Sequence, residues 1–248
     1  MPGSRPRGIA ALLASASYRE AEDDPEFLKR DQQRGLRLQL EFQKVESVLE
    51  RHGIAHTILV LGSTRTRARS PYYRVAREFG RIVGREGRRR HAAIITGGGP
   101  GIMEAVNRGA HDAGAPSIGL NISLPQPQYP NRYVTPELCF RFRYFALRKM
   151  HFLLRAHALV AFPGGFGTFD ELFETLTLVQ TRKIKPMPIV LVGEAYWRRA
   201  FDVDFLLAEG TIDPEDRELF WYAETAPEIW RGIQRWYRLS GEAVFPSA

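Results

Sequence analysis

The strongest constraint on this chain is a pattern that recurs three times. A short apolar run ends in a cluster of glycines, and a helical pattern follows. The fullest instance spans Ala158 to Thr181. Ala158 to Phe162 is continuous apolar chain, short enough for a strand buried on both faces. Pro163-Gly164-Gly165-Phe166-Gly167 breaks it, and Phe169, Leu172, Phe173, Leu176 and Val179 then recur at helical spacing. Such a strand–glycine–helix joint aims free backbone N–H groups at one point, where the helix dipole adds positive potential. An anion, most simply a phosphate, is expected there.

The other two instances are Thr57–Leu61 running into Gly62-Ser63, and Ala92–Thr96 running into Gly97-Gly98-Gly99-Pro100-Gly101. Helices are expected over about 71–85 and 102–113. Further strands are expected at Ser117–Ile122 and Met187–Val192. Another helix is expected over about 142–156, and more from Tyr196, near Pro214 and over 227–239. Strands alternating with helices imply an α/β fold, a parallel sheet covered on both faces. Ligands bind beyond the carboxyl ends of such strands, where all three glycine turns fall. None of the turns completes the dinucleotide fingerprint, since Ile102 and Asp170 stand where its last glycine belongs. The Walker pattern is absent as well, which disfavours an NAD-dependent dehydrogenase or an NTPase.

Thr168-Phe-Asp-Glu171 also fits a capping box, with Thr168 as N-cap and Glu171 reaching back. Thr225-Ala-Pro-Glu228 makes the same box with no glycine loop beside it. Glu171 therefore either starts a helix or faces a ligand. On the 142–156 helix, 100° steps gather Arg141, Arg148, His151 and Arg155 on one stripe, which taken alone reads as a solvent face. His151 reads as a packing or solvent residue. Lys149 projects among apolar neighbours and calls for a buried partner or a subunit contact. Glu174 reads as a helix-face charge and Asp170 as a first-turn dipole partner.

The rest of the chain sets limits. Its 248 residues can bury a full core, and residues 1–52 read as a tail plus an appended helix ahead of a domain over 53–248. The appended pattern runs from about Pro25 to Arg51, with Leu38, Phe42, Val45 and Leu49 on one face and Gly35 as a point of bending. Arg5 and Arg7 before a short apolar stretch resemble a leader, but that stretch is too short for one. One cysteine, Cys139, excludes an internal disulfide framework and points to the cytoplasm. No apolar run is long enough to span a membrane, and no metal site is expected. The net charge of +7 suits anionic ligands. The chain offers little of the aromatic groove that single-stranded DNA needs, so nucleic acid is not an expected partner.

With Arg148-Lys149 ahead of Pro163-Gly-Gly-Phe-Gly-Thr-Phe-Asp-Glu171, the chain resembles the LOG (Lonely Guy) family of nucleoside 5′-monophosphate phosphoribohydrolases. Their hallmark is P-G-G-x-G-T-x-x-E preceded by an Arg-Lys pair. Gly97-Gly-Gly-Pro-Gly-Ile-Met-Glu104 is similar to the family's second glycine loop. The resemblance spans about residues 57–236. It implies a Rossmann-like, doubly wound parallel sheet with helices on both faces, here preceded by an N-terminal helical extension. It further implies hydrolysis of the N-glycosidic bond of AMP or an N6-modified AMP to free base and ribose 5-phosphate, with no cofactor. Arg148 and Glu171 would be the catalytic pair. Gly164, Gly165, Phe166, Gly167 and Thr168 would hold the phosphate, with Gly62, Ser63, Gly97, Gly98, Gly99, Lys149, Asp170 and Thr177 also at the substrate. Family members assemble as dimers or larger, sharing sites across the interface. Many carry the label "lysine decarboxylase", although nothing in this sequence resembles a pyridoxal-phosphate lysine site. The segment 125–136 lacks the acidic residue that short plant members place before the Arg-Lys helix, which leaves a broader nucleotide nucleosidase open. The competing expectation is a molybdenum-cofactor carrier of similar fold, which needs the loops but not the Arg148/Glu171 pair.

Overall fold

The computed structural model describes residues 8–125 and 128–246. The leader-like Arg5 and Arg7 lie outside the described residues. The chain divides into a unit over residues 1–44 and a larger one over 45–248. The first holds α1 (Ile9–Leu13), α2 (Pro25–Lys29) and the start of α3 (Arg34–Arg51). Asp24 caps α2 by accepting from the Glu26 and Phe27 amides, both at 3.1 Å. The helix expected over 25–51 is in fact broken at Arg30, which is extended and followed by a 3₁₀ turn over Asp31–Gln33. Arg37 reaches back to the Leu28 and Arg30 carbonyls at 2.6 and 2.5 Å. These bonds satisfy carbonyls freed by the break, so Gly35 is not the bend and sits inside α3.

The larger unit is built on seven parallel strands. In chain order these are β1 (His56–Leu61), β2 (Ala92–Thr96), β3 (Ser117–Ile122), β4 (Cys139–Phe142), β5 (Ala156–Ala161), β6 (Ile189–Val192) and β7 (Trp221–Ala223). Their order across the sheet is β4-β3-β2-β1-β5-β6-β7. The crossover helices are α4 (Pro71–Gly87), α5 (Ile102–Asp112), α6 (Phe145–Leu153), α7 (Phe166–Gln180), α8 (Glu194–Ala200) and α9 (Val203–Ala208), and α10 (Ala226–Leu239) follows β7.

Alternation along each strand divides the core in two. Ile58, Val60, Ile94, Val160 and Val190 face α4, α5 and α10. Leu59, Leu61, Ile95, Leu159 and Leu191 face the opposite layer, where Leu172 of α7, Trp197 of α8 and the end of α3 (Val45, Leu49) are buried. Because both faces are covered, the strands read in sequence as unbroken apolar runs. This is the doubly wound parallel α/β architecture expected from the alternating pattern.

Two strands went unforeseen, β4 and β7, the short edges of the sheet. Cys139–Phe142 displaces the start of the expected 142–156 helix, so α6 begins only at Phe145 and ends at Leu153. The stripe of four basic residues therefore does not form: Arg141 lies on β4, and Arg155 lies beyond the end of α6.

Candidate active site

Reading outward from β1, the strand order runs one way to β4 and the other way to β7. The sheet's topological switch lies between β1 and β5, where crossovers on opposite faces leave a crevice. The turns after those strands are bonded together. The Phe162 amide donates to the Leu61 carbonyl at 2.9 Å, and the Ser63 amide to the Pro163 carbonyl at 3.0 Å. The Ser63 carbonyl accepts from the Ile102 amide at 3.1 Å, tying in the turn after β2. Gly101 makes this approach possible. Its φ is +73°, and a Cβ there would overlap the Ser63 carbonyl oxygen. All three glycine turns thus belong to one braced rim.

At the third turn, α7 starts with Gly165 in the N-cap position and no side chain bonds to its first turn. The Gly165 carbonyl accepts from the Thr168 and Phe169 amides. The Phe166 and Gly167 amides are left without a capping side chain, at the positive end of a fifteen-residue helix. Side-chain positions at Gly165 and Gly167 open into free space, and Phe166 is 96% exposed. The Tyr196 hydroxyl donates to the Gly164 carbonyl at 2.5 Å, so the turn is braced from α8.

The capping-box expectation at Thr168 is corrected here. The helix begins two residues before Thr168, which is buried in its first turn. Glu171 does not reach back. The box at Thr225 does form, with the Thr225 amide donating to Glu228 at 3.2 Å and the Glu228 amide to Thr225 Oγ1 at 3.4 Å.

Glu171 instead accepts from Arg148 of α6, Oε1 to Nη2 at 2.6 Å, each side chain only 12% exposed. The Arg148 guanidinium lies over the Phe145 and Phe152 rings at 5.1 and 5.3 Å. Burial is the main force on the Glu171 carboxyl and pushes it up to about 7. Arg148 and Lys149 pull it down, and the neighbouring Asp170 pushes it up. A carboxyl so placed can exchange a proton near neutrality. Lys149, next in sequence, bridges Asp170 at 3.1 Å and Glu174 at 3.2 Å. Burial works against its charge, but the two carboxylates outweigh that and hold the ammonium above its usual range.

The family model described as "Possible lysine decarboxylase" matches residues 103–233. The cytokinin riboside 5′-monophosphate phosphoribohydrolase LOG3 of Arabidopsis thaliana is 32% identical over 152 residues, covering 59% of this chain and 69% of that protein. LOG4 of the same plant is 30% identical over the same shares. The chain belongs to the LOG family. Solved structures with TM-scores of 0.52 and 0.53 share the fold of this LOG-family chain. They are the molybdenum cofactor binding protein of Rippkaea orientalis, at 20% identity over 73% of this chain and 96% of that one, and the structural-genomics target TM1055, at 22% over 73% and 99%.

Not every residue singled out in this LOG-family sequence converges. Thr177 lies on the exposed side of α7, its hydroxyl donating to the Phe173 carbonyl at 2.8 Å. Asp170 and Lys149 meet each other just outside the Arg148–Glu171 pair. His151 is buried, 3.3 Å from Glu46 on α3, and burial lowers its pKa. Arg155 holds the same carboxylate with both nitrogens, at 2.5 and 3.0 Å. Among the described residues, no group of three or more His, Cys, Asp or Glu could hold a metal ion, and no helix is long and apolar enough to cross a membrane.

Sequence reasoning missed Tyr196 and the side chains behind the second glycine turn. Thr96 and Asn131 grip that turn, and the buried Asn107 side chain bonds to both of them. Asn131 sits in the segment 125–136 between β3 and β4, where no site residue was expected. Its partners on the turn are backbone carbonyls, which leave no trace in residue spacing.

Proposed function

We propose that this protein hydrolyses the N-glycosidic bond of a nucleoside 5′-monophosphate, AMP or an N6-modified AMP, releasing free base and ribose 5-phosphate. The observation that carries this reading is the buried Arg148–Glu171 pair beside an uncapped helix N-terminus at the sheet's switch point. The amides of the Gly164–Thr168 turn would take the phosphate, with Gly62, Ser63 and the turn at Gly97–Gly99 completing the cradle. Departure of the base leaves positive charge on the ribose, which an ionised Glu171 stabilises. With its pKa near 7, Glu171 can also accept a proton from the attacking water. Arg148 holds the carboxylate in place and supplies fixed positive charge toward the phosphate. The named relatives act on cytokinin riboside monophosphates, which supports this class of substrate.

In the same reading, residues 53–248 form the catalytic domain, 1–52 an extension, and the enzyme works in the cytoplasm as a homo-oligomer. Phe145 and Met150 on α6, Leu154 just after it and Phe173 on α7 are exposed apolar groups that a second copy would cover. Incubation with AMP followed by chromatography for adenine tests the reaction. Glu171→Gln and Arg148→Ala should each lower release by at least about a thousandfold while leaving the fold intact. Near-wild-type turnover by either would remove that residue from the catalytic pair. Tight AMP binding with no adenine released by the wild type would point instead to a carrier.

A further inference from the structure

We propose that Asn131 is a positioning residue that locks the Gly98–Gly99 peptide with its N–H edge toward the bound nucleotide. The Asn131 amide nitrogen Nδ2 donates to the Gly98 carbonyl at 3.1 Å, the Gly99 carbonyl at 2.9 Å and Asn107 Oδ1 at 3.0 Å. Its backbone N–H adds a second bond to the Gly98 carbonyl at 2.8 Å. Its own Oδ1 accepts from the Tyr133 amide at 3.1 Å. Carbonyl oxygens only accept and a backbone amide only donates, so these partners fix which way the side-chain amide faces.

Asn107 is fully buried and held in turn. Thr96 Oγ1 donates to its Oδ1 at 2.9 Å and accepts from the Gly98 amide at 2.9 Å. A trans peptide points its N–H opposite to its C=O. Drawing the Gly98 carbonyl toward Asn131 therefore turns the Gly99 N–H the other way. Gly98 has φ +71°, and with glycine on both sides this peptide could rotate at little cost. Rotation would replace a donor by an acceptor on that side of the rim. An anionic ligand is attracted by the first and repelled by the second.

This inference rests on the reading that the rim holds a nucleotide, and two substitutions, one isosteric and one a truncation, separate it from plain structural support. Asn131→Asp keeps the shape and the bond from Tyr133, but sets a carboxylate oxygen against three acceptors. The relief open to it is to rotate the Gly98–Gly99 peptide and recruit the Gly99 N–H. Asn131→Ala removes the side-chain bonds and leaves the Gly98 carbonyl held by the residue-131 N–H alone. Ribose 5-phosphate binding, measured by calorimetry, should weaken about tenfold in the alanine variant and about a hundredfold in the aspartate variant, with melting temperature measured alongside. A purely structural asparagine predicts a lowered melting temperature in both variants with near-wild-type binding by the folded protein. Aspartate binding as tightly as alanine, or a wild type that does not bind ribose 5-phosphate, overturns the proposal. So does a crystal structure of Asn131→Asp with the peptide unrotated, whatever the activity. A wild type that binds ribose 5-phosphate and shows the expected order, yet releases no base from AMP, would support the lock and refute the reaction instead.

Discussion

Glu171 should make the folded protein less stable as pH rises through neutrality, and replacing it by glutamine should remove that loss. In the unfolded chain its carboxyl titrates near 4.5, and in the fold it is pushed up to about 7. The native state therefore holds a proton that the unfolded state has released between those values. Stability from this group is fully present below about 4.5 and is lost as pH rises to about 7. At about 1.4 kcal/mol per pH unit, the loss approaches about 3 kcal/mol. Glutamine mimics the protonated carboxyl, and its oxygen can still accept from Arg148. In urea titrations, Glu171→Gln should match the wild type near pH 4.5 and exceed it by about 3 kcal/mol near pH 8.5. All other titrating groups are common to both proteins and cancel in the difference. Base release by the wild type should rise through about pH 7 if the ionised carboxylate is the working form. A stability difference that stays constant from pH 4.5 to 8.5 would refute the account of Glu171 as a buried, reluctantly ionised group.

Two smaller outcomes follow. Tyr196→Phe deletes the hydroxyl bonded to the Gly164 carbonyl and should cost about 1 kcal/mol, with a melting point lower by a few degrees and a raised KM for AMP; an unchanged KM would mean that the α8 brace does not act on the phosphate turn. Light scattering should give a mass of two or more chains, with Met150→Asp shifting it toward one; a monomeric wild type would leave the exposed α6 residues without their proposed cover.

The central strands were legible because burial on both faces writes them as unbroken apolar runs, and β2 and β3 matched to the residue. The edges were not. β4 reads Cys-Phe-Arg-Phe, with Arg141 exposed, and β7 is three residues long, so neither carries the run that marks a central strand. The parallel neighbour, not the local pattern, makes them strands. At the site, Arg148 and Glu171 were found through a motif, and the structure puts them in contact. The end of α6 was misread because Arg155 continues the helical spacing, although Glu46 draws its guanidinium away. Asn131 could not be read at all, since its role is defined by the direction of two distant carbonyls.

The two T-x-x-E sequences show how one local code reaches opposite ends. At Thr225 the preceding chain is extended, the threonine becomes the N-cap, and Glu228 closes the box. At Thr168 the Gly164–Gly165 turn has already started the helix, so the threonine is swallowed into the first turn and the glutamate sits within α7 with its carboxylate free. That carboxylate then meets Arg148 in a poorly solvated crevice. A side-chain cap is worth about 1 kcal/mol, and burial of Glu171 costs about 3 kcal/mol at alkaline pH. Both are large beside a total stability of about 5–15 kcal/mol. A sequence selected for stability alone would cap α7 as it caps α10 and leave residue 171 neutral. That it does neither, at the one crevice where the strand order reverses, is what a site for an anion and a reacting sugar requires.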